Sequence, residues 1–311
     1  MTRDVAAVVV TYNRLELLKR NIARLRAQTA AENLEIYIVD NHSTDGTGAY
    51  LAPLAQSGVL HYADTGANLG GAGGFQYGVR LAAASGCRYL WLMDDDCMPE
   101  PTTLQALLDA AEQLTPFGFL SSKVLWTDGG LCRMNIQRQT LTRPVSCLEG
   151  GPVPVVMASF VSLFVPVSVI EAVGLPIREF FIWTDDWEYT RRISRRYPCW
   201  AVPASVVVHE TARNEGASIA TDSEDRLARY GYIYRNDVVL YRREGLRGWL
   251  YLLVRNAVHL LRVLLKARSG RMKRIALILR GTWAGLRFRP AIEYLDTKPE
   301  TAENPEADRE Q

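Results

Sequence analysis

The 311-residue sequence predicts an α/β fold, an open sheet flanked by helices, followed by a helical extension. Three observations predict it. Apolar β-branched runs alternate with segments of helical period through the first hundred residues, which is how successive strands and covering helices read. Two of the strand-like runs, Glu35–Asp40 and the one entering Asp94-Asp95-Asp96, stop at carboxylates, and ligands of open α/β sheets gather beyond the carboxyl ends of strands. From Leu246 onward only helical spacing remains.

Val5–Thr11 is a continuous β-branched run, as expected of a strand covered on both faces. Arg14–Gln28 carries Leu15, Leu18, Ile22 and Leu25 at steps of three and four, a helix face. Glu35–Asp40 is the second strand, and Asn41–Gly48 is turn chemistry leading to a helix near Thr47. Val59–Ala63 reads as a third strand, Phe75–Ala84 as a helix entered through glycines, and Arg88–Met93 as a fourth strand. Further on, Val153–Phe164 and Ala204–His209 read as strands and Asp186–Arg196 as a helix. In the C-terminal part, Arg255, His259, Arg262 and Lys266 form one polar stripe on a helix otherwise filled with Leu, Val and Trp, and Met272–Leu286 forms a second helix after Ser269-Gly270.

Charge is segregated along the chain. A net +2 conceals residues 242–289, with thirteen Lys or Arg against Glu244 alone, and residues 290–311, with seven acids against two bases. Apolar residues at 48% exclude a disordered or fibrous chain. Five cysteines without a CxxC pair argue against a disulfide scaffold and for a reducing compartment. No signal-peptide core precedes Ala6–Val10, and no run of about eighteen uncharged apolar residues occurs. The expectation is a cytoplasmic protein without a conventional spanning helix.

Asp94-Asp95-Asp96 is the sharpest chemical signal. In extended backbone Asp94 and Asp96 project to one side and Asp95 to the other, and two carboxylates on one side repel unless a cation joins them. Oxygen ligands suit a hard divalent ion; a solvated acidic turn before Pro99 is the plainer explanation of the same residues. Trp183-Thr-Asp185-Asp186-Trp187-Glu188-Tyr places carboxylates among aromatics at a helix start, where the dipole favours their charged form; simple capping would need the same residues. His209 ends a β run, and by itself is an ordinary structural histidine. Asn68-Leu-Gly-Gly-Ala-Gly-Gly74-Phe75 permits close backbone approach to a bound group, yet it lacks the Gly-Lys-Ser/Thr of a phosphate-binding loop.

Taken in order, Val9-Val-Thr-Tyr-Asn-Arg14, Val39-Asp-Asn-His-Ser-Thr-Asp-Gly-Thr47, Asn68-Leu-Gly70, Asp94-Asp-Asp96, Thr184-Asp-Asp186 and His209 resemble the inverting glycosyltransferases of family 2, over residues 5–240. The glycine-rich segment, the Trp-x-Asp-Asp-x-Glu-Tyr stretch and Tyr234-Arg-Asn236 look most like the bacterial galactofuranosyltransferases. The resemblance implies a GT-A fold, a Rossmann-like mixed sheet flanked by helices. It implies a UDP-sugar donor held by Thr11, Arg14, Asp40, Asn68, Gly70, Gly71, Gly73, Gly74, Asp94 and Asp95. It also implies Mn²⁺, or Mg²⁺, on Asp94, Asp96 and His209, with Asp186 as base and Asp185 or Glu188 as substitutes. Trp183 and Trp187 would offer stacking faces to the acceptor, typically a polyprenyl-linked glycan of a cell-wall or O-antigen pathway. A rhamnosyltransferase using dTDP-rhamnose and a non-catalytic nucleotide-sugar-binding assembly subunit are the alternatives.

The implied organisation is a catalytic domain over residues 1–241, a basic amphipathic extension over 242–289 serving a membrane surface or an oligomer contact, and a disordered acidic tail over 290–311. The enzyme would then lie on the inner face of the cell membrane. No nucleic-acid motif accompanies the basic helices.

Overall fold

The structure, a computed structural model, describes residues 3–295. Its alternating half runs β1 (Val5–Thr11), α1 (Leu15–Arg26), β2 (Leu34–Asp40), α2 (Thr47–Gln56), β3 (His61–Asp64), α3 (Gly70–Ala83) and β4 (Tyr89–Asp94). The mixed half follows with β5 (Cys97–Pro99), α4 (Thr103–Leu114), β6 (Leu120–Trp126), β7 (Val153–Pro154), β8 (Leu163–Pro166), α5 (Val167–Val173), α6 (Asp185–Ser194) and β9 (Trp200–His209). Helices α7 (Tyr230–Arg242), α8 (Gly245–Lys266) and α9 (Arg271–Arg287) complete the chain.

The strands form one mixed sheet in the order β3-β2-β1-β4-β8-β6-β9-β5, with β7 paired to β9. Every residue of β1 is buried, because alternate side chains meet different helices. Val5, Ala7 and Val9 pack with Leu18, Ile22 and Leu25 of α1, while Ala6, Val8 and Val10 pack with Phe75, Val79 and Ala82 of α3. Parallel register then carries Thr11, Asp40 and Asp94 to one sheet edge, with Thr11 opposite Asp40 and Val10 opposite Asp94. The α/β expectation and its GT-A arrangement hold.

Several expected boundaries shift. The segment Val153–Phe164 is no continuous strand: β7 and β8 are its two ends, and Ser162 between them has a left-handed φ of 61°. That turn brings the Ser162 hydroxyl to the indole N–H of Trp91 at 2.8 Å and to Ser122 at 2.5 Å, a polar set inside the sheet layers. The glycines before Phe75 are themselves the first turn of α3. Of the acidic tail, residues 290–295 lie against the body, where Glu293 pairs with Arg80 and Arg178 and its carbonyl accepts from the Leu175 N–H; the rest of the tail lies outside the described residues.

The polar stripe of α8 divides. Arg255 forms an ion pair with buried Asp237 of α7, and His259 Nδ1 lies 2.8 Å from the Tyr234 hydroxyl, so both face the protein. Arg262 and Lys266 are exposed. By length and composition α8 is long and apolar enough to cross a membrane, contrary to the expectation that no such segment exists, but that is weak evidence by itself.

Helix α3 crosses the sheet at Gly78, where a Cβ would come within 2.4 Å of Val8 Cγ1 and 2.9 Å of Val39 Cγ2. These β-branched neighbours are fixed in β1 and β2 and have little room to give. Gly78→Ala should therefore lower stability by about 1–3 kcal/mol, read as a fall in the urea midpoint at constant slope. An unshifted midpoint would contradict the close crossing.

Candidate active site

The site grows from the end of β4. Past Asp94 the chain turns through Asp95-Asp96 and enters β5, which pairs with β9 so that Cys97 lies opposite His209. That register sets His209 beside Asp96, with Nε2 3.0 Å from Asp96 Oδ1. Asp94, Asp96 and His209 bring one ligand atom each within 4.8 Å of one another. Asp95 accepts from the Thr11 hydroxyl at 2.8 Å and from Arg14 at 3.2 Å, held in a turn and not in the extended backbone that the sequence suggested. Arg14 also reaches Asp96 Oδ2 at 2.6 Å.

Three carboxylates in so small a space need positive charge. Burial, then the charge of Asp96, pushes Asp94 up to about 7, against the pull of His209. Burial pushes Asp95 to about 6 despite Arg14. Asp96 is also desolvated, yet the hydrogen bond and charge of His209, followed by Arg14, bring it below the usual carboxylate range. Burial alone would lower His209, but Asp96, Cys132 and Asp94 raise it to about 10. Two oxygen ligands and one imidazole on this electronegative edge fit a divalent ion, and the imidazole favours Mn²⁺ over Mg²⁺.

Behind the imidazole, Nδ1 lies 2.8 Å from Asn135 Oδ1, and Asn135 is held in turn by Ser159 at 2.9 Å and by the Cys132 thiol at 3.0 Å. An amide oxygen only accepts, so Nδ1 carries the proton and Nε2 is aimed at the carboxylates. Asn135 and Cys132 sit in an irregular segment beyond β6, and no sequence pattern marks them.

Asp185 and Asp186 open α6. Burial pushes Asp185 up to about 6. Burial, then Asp185, and then the charge of Asp94 hold Asp186 well above the usual range, so the expected charge-favouring effect of the helix N-terminus loses to desolvation. The charge of Asp94 is thus felt at Asp186. Asp94 and Asp186 are each partly open to solvent, whereas Asp95, Asp96 and Asp185 are buried. Asp186 Oδ1 accepts from the Trp187 N–H at 2.7 Å.

The loop before α6 is wound left-handed at Phe181, Trp183 and Thr184, none of them glycine. Such backbone costs on the order of 1–3 kcal/mol per residue and persists only where its surroundings enforce it. Here Asn236 of α7 does so: its amide donates to the carbonyls of Phe180, Ile182 and Trp183 at 3.0, 3.2 and 2.9 Å. Thr184 donates to Asp237 at 2.9 Å. Only the Tyr234-Arg-Asn236 resemblance hinted at this; Asp237 carried no signal, and Arg255 stood out only as part of a polar stripe.

Other expected site residues have different partners. Glu188 is enclosed by Arg192 at 2.9 Å and by Arg243, so its carboxylate is engaged in ion pairs within the protein. Trp187 has the Arg138 guanidinium over its ring at 3.9 Å, and Trp183 packs edge-on against Tyr230 at 5.1 Å, so both indoles are engaged within the protein rather than presented for stacking. The glycines serve packing more than phosphate approach. A Cβ at Gly70 would lie 2.1 Å from the Phe181 carbonyl, at Gly73 2.6 Å from Leu69 Cβ, and at Gly74 2.6 Å from Val10 Cγ1; only Gly71 faces open space. Asn68 caps the Gly70 N–H at 2.9 Å, and Asp40 accepts from the Ser43 N–H at 2.9 Å and from Tyr62 at 3.4 Å.

Residues 6–124 match the model of glycosyl transferase family 2. Over those residues the chain resembles the family 2 glycosyltransferases. It is 27% identical over 300 residues to galactofuranosyltransferase GlfT1 of Mycolicibacterium smegmatis, covering 88% of this chain and 98% of that one. With GlfT1 of Mycobacterium tuberculosis H37Rv it shares 28% over 278 residues, 82% and 91% of the two chains. The fold matches S. aureus TarS 1–349 at a TM-score of 0.56 and 13% identity, over 91% of this chain and 72% of that one. It also matches mannosyltransferase PcManGT from Pyrobaculum calidifontis, solved with GDP-Man and Mn²⁺, at 0.55 and 15%, over 91% and 75%. This glycosyltransferase resembles galactofuranosyltransferases along most of its length.

Asn135→Ala removes the acceptor that orients His209. Mn²⁺ affinity, followed by electron paramagnetic resonance of free ion, should weaken about 10–100-fold. Unchanged affinity would show that His209 needs no such support or is no ligand.

Proposed function

We propose that this glycosyltransferase moves galactofuranose from UDP-galactofuranose to a lipid-linked glycan, with inversion at the anomeric carbon. The observation that carries the reading is the gathering of Asp94, Asp96 and His209 at one sheet edge, and the charge of Asp94 felt at Asp186 supports the role given to that carboxylate. The galactofuranosyltransferase activity for which the GlfT1 relatives are named supports the donor sugar.

In this reading Asp94, Asp96 and His209 hold Mn²⁺ or Mg²⁺, whose chemistry there is neutralisation of charge on the departing UDP. Thr11 and Arg14 fix Asp95, and Arg14 also holds Asp96, which steadies the turn that carries the triplet. The acceptor hydroxyl oxygen attacks the anomeric carbon from the face opposite UDP. The bond from that carbon to the diphosphate oxygen breaks, and its electron pair leaves with UDP. Asp186 takes the hydroxyl proton, and its raised proton affinity suits that task. Buried Asp185 keeps a negative charge beside it and supports that affinity. Asp40, Asn68 and the Gly70–Gly71 turn are the remaining donor-side groups.

A panel of nucleotide sugars with Mn²⁺, scored by nucleotide release, tests the donor. UDP-galactofuranose should be turned over fastest, and preference for dTDP-rhamnose would overturn the assignment. Asp186→Asn keeps size and the bond to the Trp187 N–H but cannot take the proton. Its kcat should fall about 10²–10⁴-fold with donor affinity held within about threefold; turnover near the parent level would reject Asp186 as base.

A further inference from the structure

Seventeen large apolar side chains are exposed among the described residues, and thirteen of them lie on α8 and α9. Leu246, Leu253 and Leu265 of α8 are 85%, 69% and 72% exposed, and Met272 and Trp283 of α9 are 76% and 59% exposed. A surface helix of a water-soluble domain turns its apolar stripe to the core and its charges outward. Helix α8 does the reverse over much of its length. Its inward side carries Arg255, paired with Asp237, His259 beside Tyr234, and Asn256, which donates to Thr282 of α9 at 3.0 Å. Its outward side is mostly leucine and valine. Contiguous apolar surface of this kind marks a contact with a partner or a membrane.

Charge selects the partner. Between Glu244 and Glu293 the sequence has no acidic residue. Exposed Arg247, Arg262, Lys266, Arg268, Lys273 and Arg280 border the apolar face. A second copy meeting this face through a two-fold axis would set like charges against each other, whereas an anionic lipid surface complements them. The polar contacts of α8 with α7 and α9 hold it against the domain, so it is suited to lie along a bilayer rather than cross it.

We infer that α8 and α9 form a docking face for an anionic bilayer, with the leucines and Trp249 and Trp283 in the interface and the basic side chains on lipid phosphates. The inference is independent of the transfer chemistry, because docking is read without donor or acceptor.

Cosedimentation of the full chain with phosphatidylcholine vesicles, with and without phosphatidylglycerol, tests it. Binding should require phosphatidylglycerol and be released by high salt. The surface variants Leu253→Glu/Leu264→Glu and Arg268→Glu/Lys273→Glu/Arg280→Glu should each bind about a hundredfold more weakly, the scale set by a few interfacial groups. Their urea midpoints and Mn²⁺ affinity should match the parent's, which separates lost docking from lost folding. No vesicle binding, or equal binding to phosphatidylcholine alone, would overturn the inference. So would a dimer abolished by Leu253→Glu/Leu264→Glu in a chain that ignores vesicles, which would assign the face to a second copy. Retention on vesicles through salt and alkaline washing would overturn it in favour of a spanning helix.

Discussion

The arrangement depends on negative charge packed at one sheet edge and on what offsets it. Asp94, Asp95 and Asp96 leave β4 within a single turn, and Asp185 and Asp186 start α6 nearby. Like charges in a desolvated space raise each other's proton affinity, and a fold that gathers them must bring cations to the same place. Arg14 from the β1–α1 junction and His209 from the end of β9 are the two protein cations that arrive. Their approach is a consequence of strand pairing: β5 with β9 delivers the imidazole, and the parallel register of β1 with β4 delivers Thr11 and Arg14. Sheet order and site chemistry are one construction.

A second constraint is the loop leading to α6. Three non-glycine residues in left-handed backbone would unwind unless held, and α7 holds them through Asn236 and Asp237. From the other side Gly70 admits the Phe181 carbonyl where any Cβ would collide, and the Ala72 N–H donates to that carbonyl at 3.2 Å. The glycine-rich turn thus contributes to the position of Asp186 by seating its loop. That is a different use of the same glycines from the close backbone approach to a bound group that the sequence suggests.

Much of this was legible in the sequence, for identifiable reasons. Strands buried on both faces, such as Val5–Thr11, announce themselves by composition, whereas Asp94 and Asp96 come together through the turn at Asp95-Asp96 and not through the period of two that the sequence suggested. The order of short motifs pointed to one family, whose model matches residues 6–124. Position in three dimensions was less legible. Glu188 read as a possible base because it lies two residues from Asp186, but two positions along a helix is about 200° around it, which turns Glu188 towards Arg192 and Arg243. Asn135 was invisible because its work is done by one long-range hydrogen bond from irregular backbone. Val153–Phe164 read as one strand because apolar density reports burial, and a buried loop pinned by Ser162 has the same density.

That the polar side of α8 faces inward was not legible for a related reason. Periodicity reveals that a helix has two faces but not which one meets the protein. The buried Asp237 decides it. A carboxylate in that position without a partner would cost several kcal/mol, and Arg255 is the group that meets it. Because Asp237 also accepts from Thr184, the residue before Asp185, one buried carboxylate ties α8 to the loop that carries the candidate base. The same ion pair that leaves the leucines of α8 facing outward therefore anchors the start of α6. A surface contact along α8 and the placement of Asp186 are connected through three side chains, Arg255, Asp237 and Thr184, with no rearrangement of the sheet.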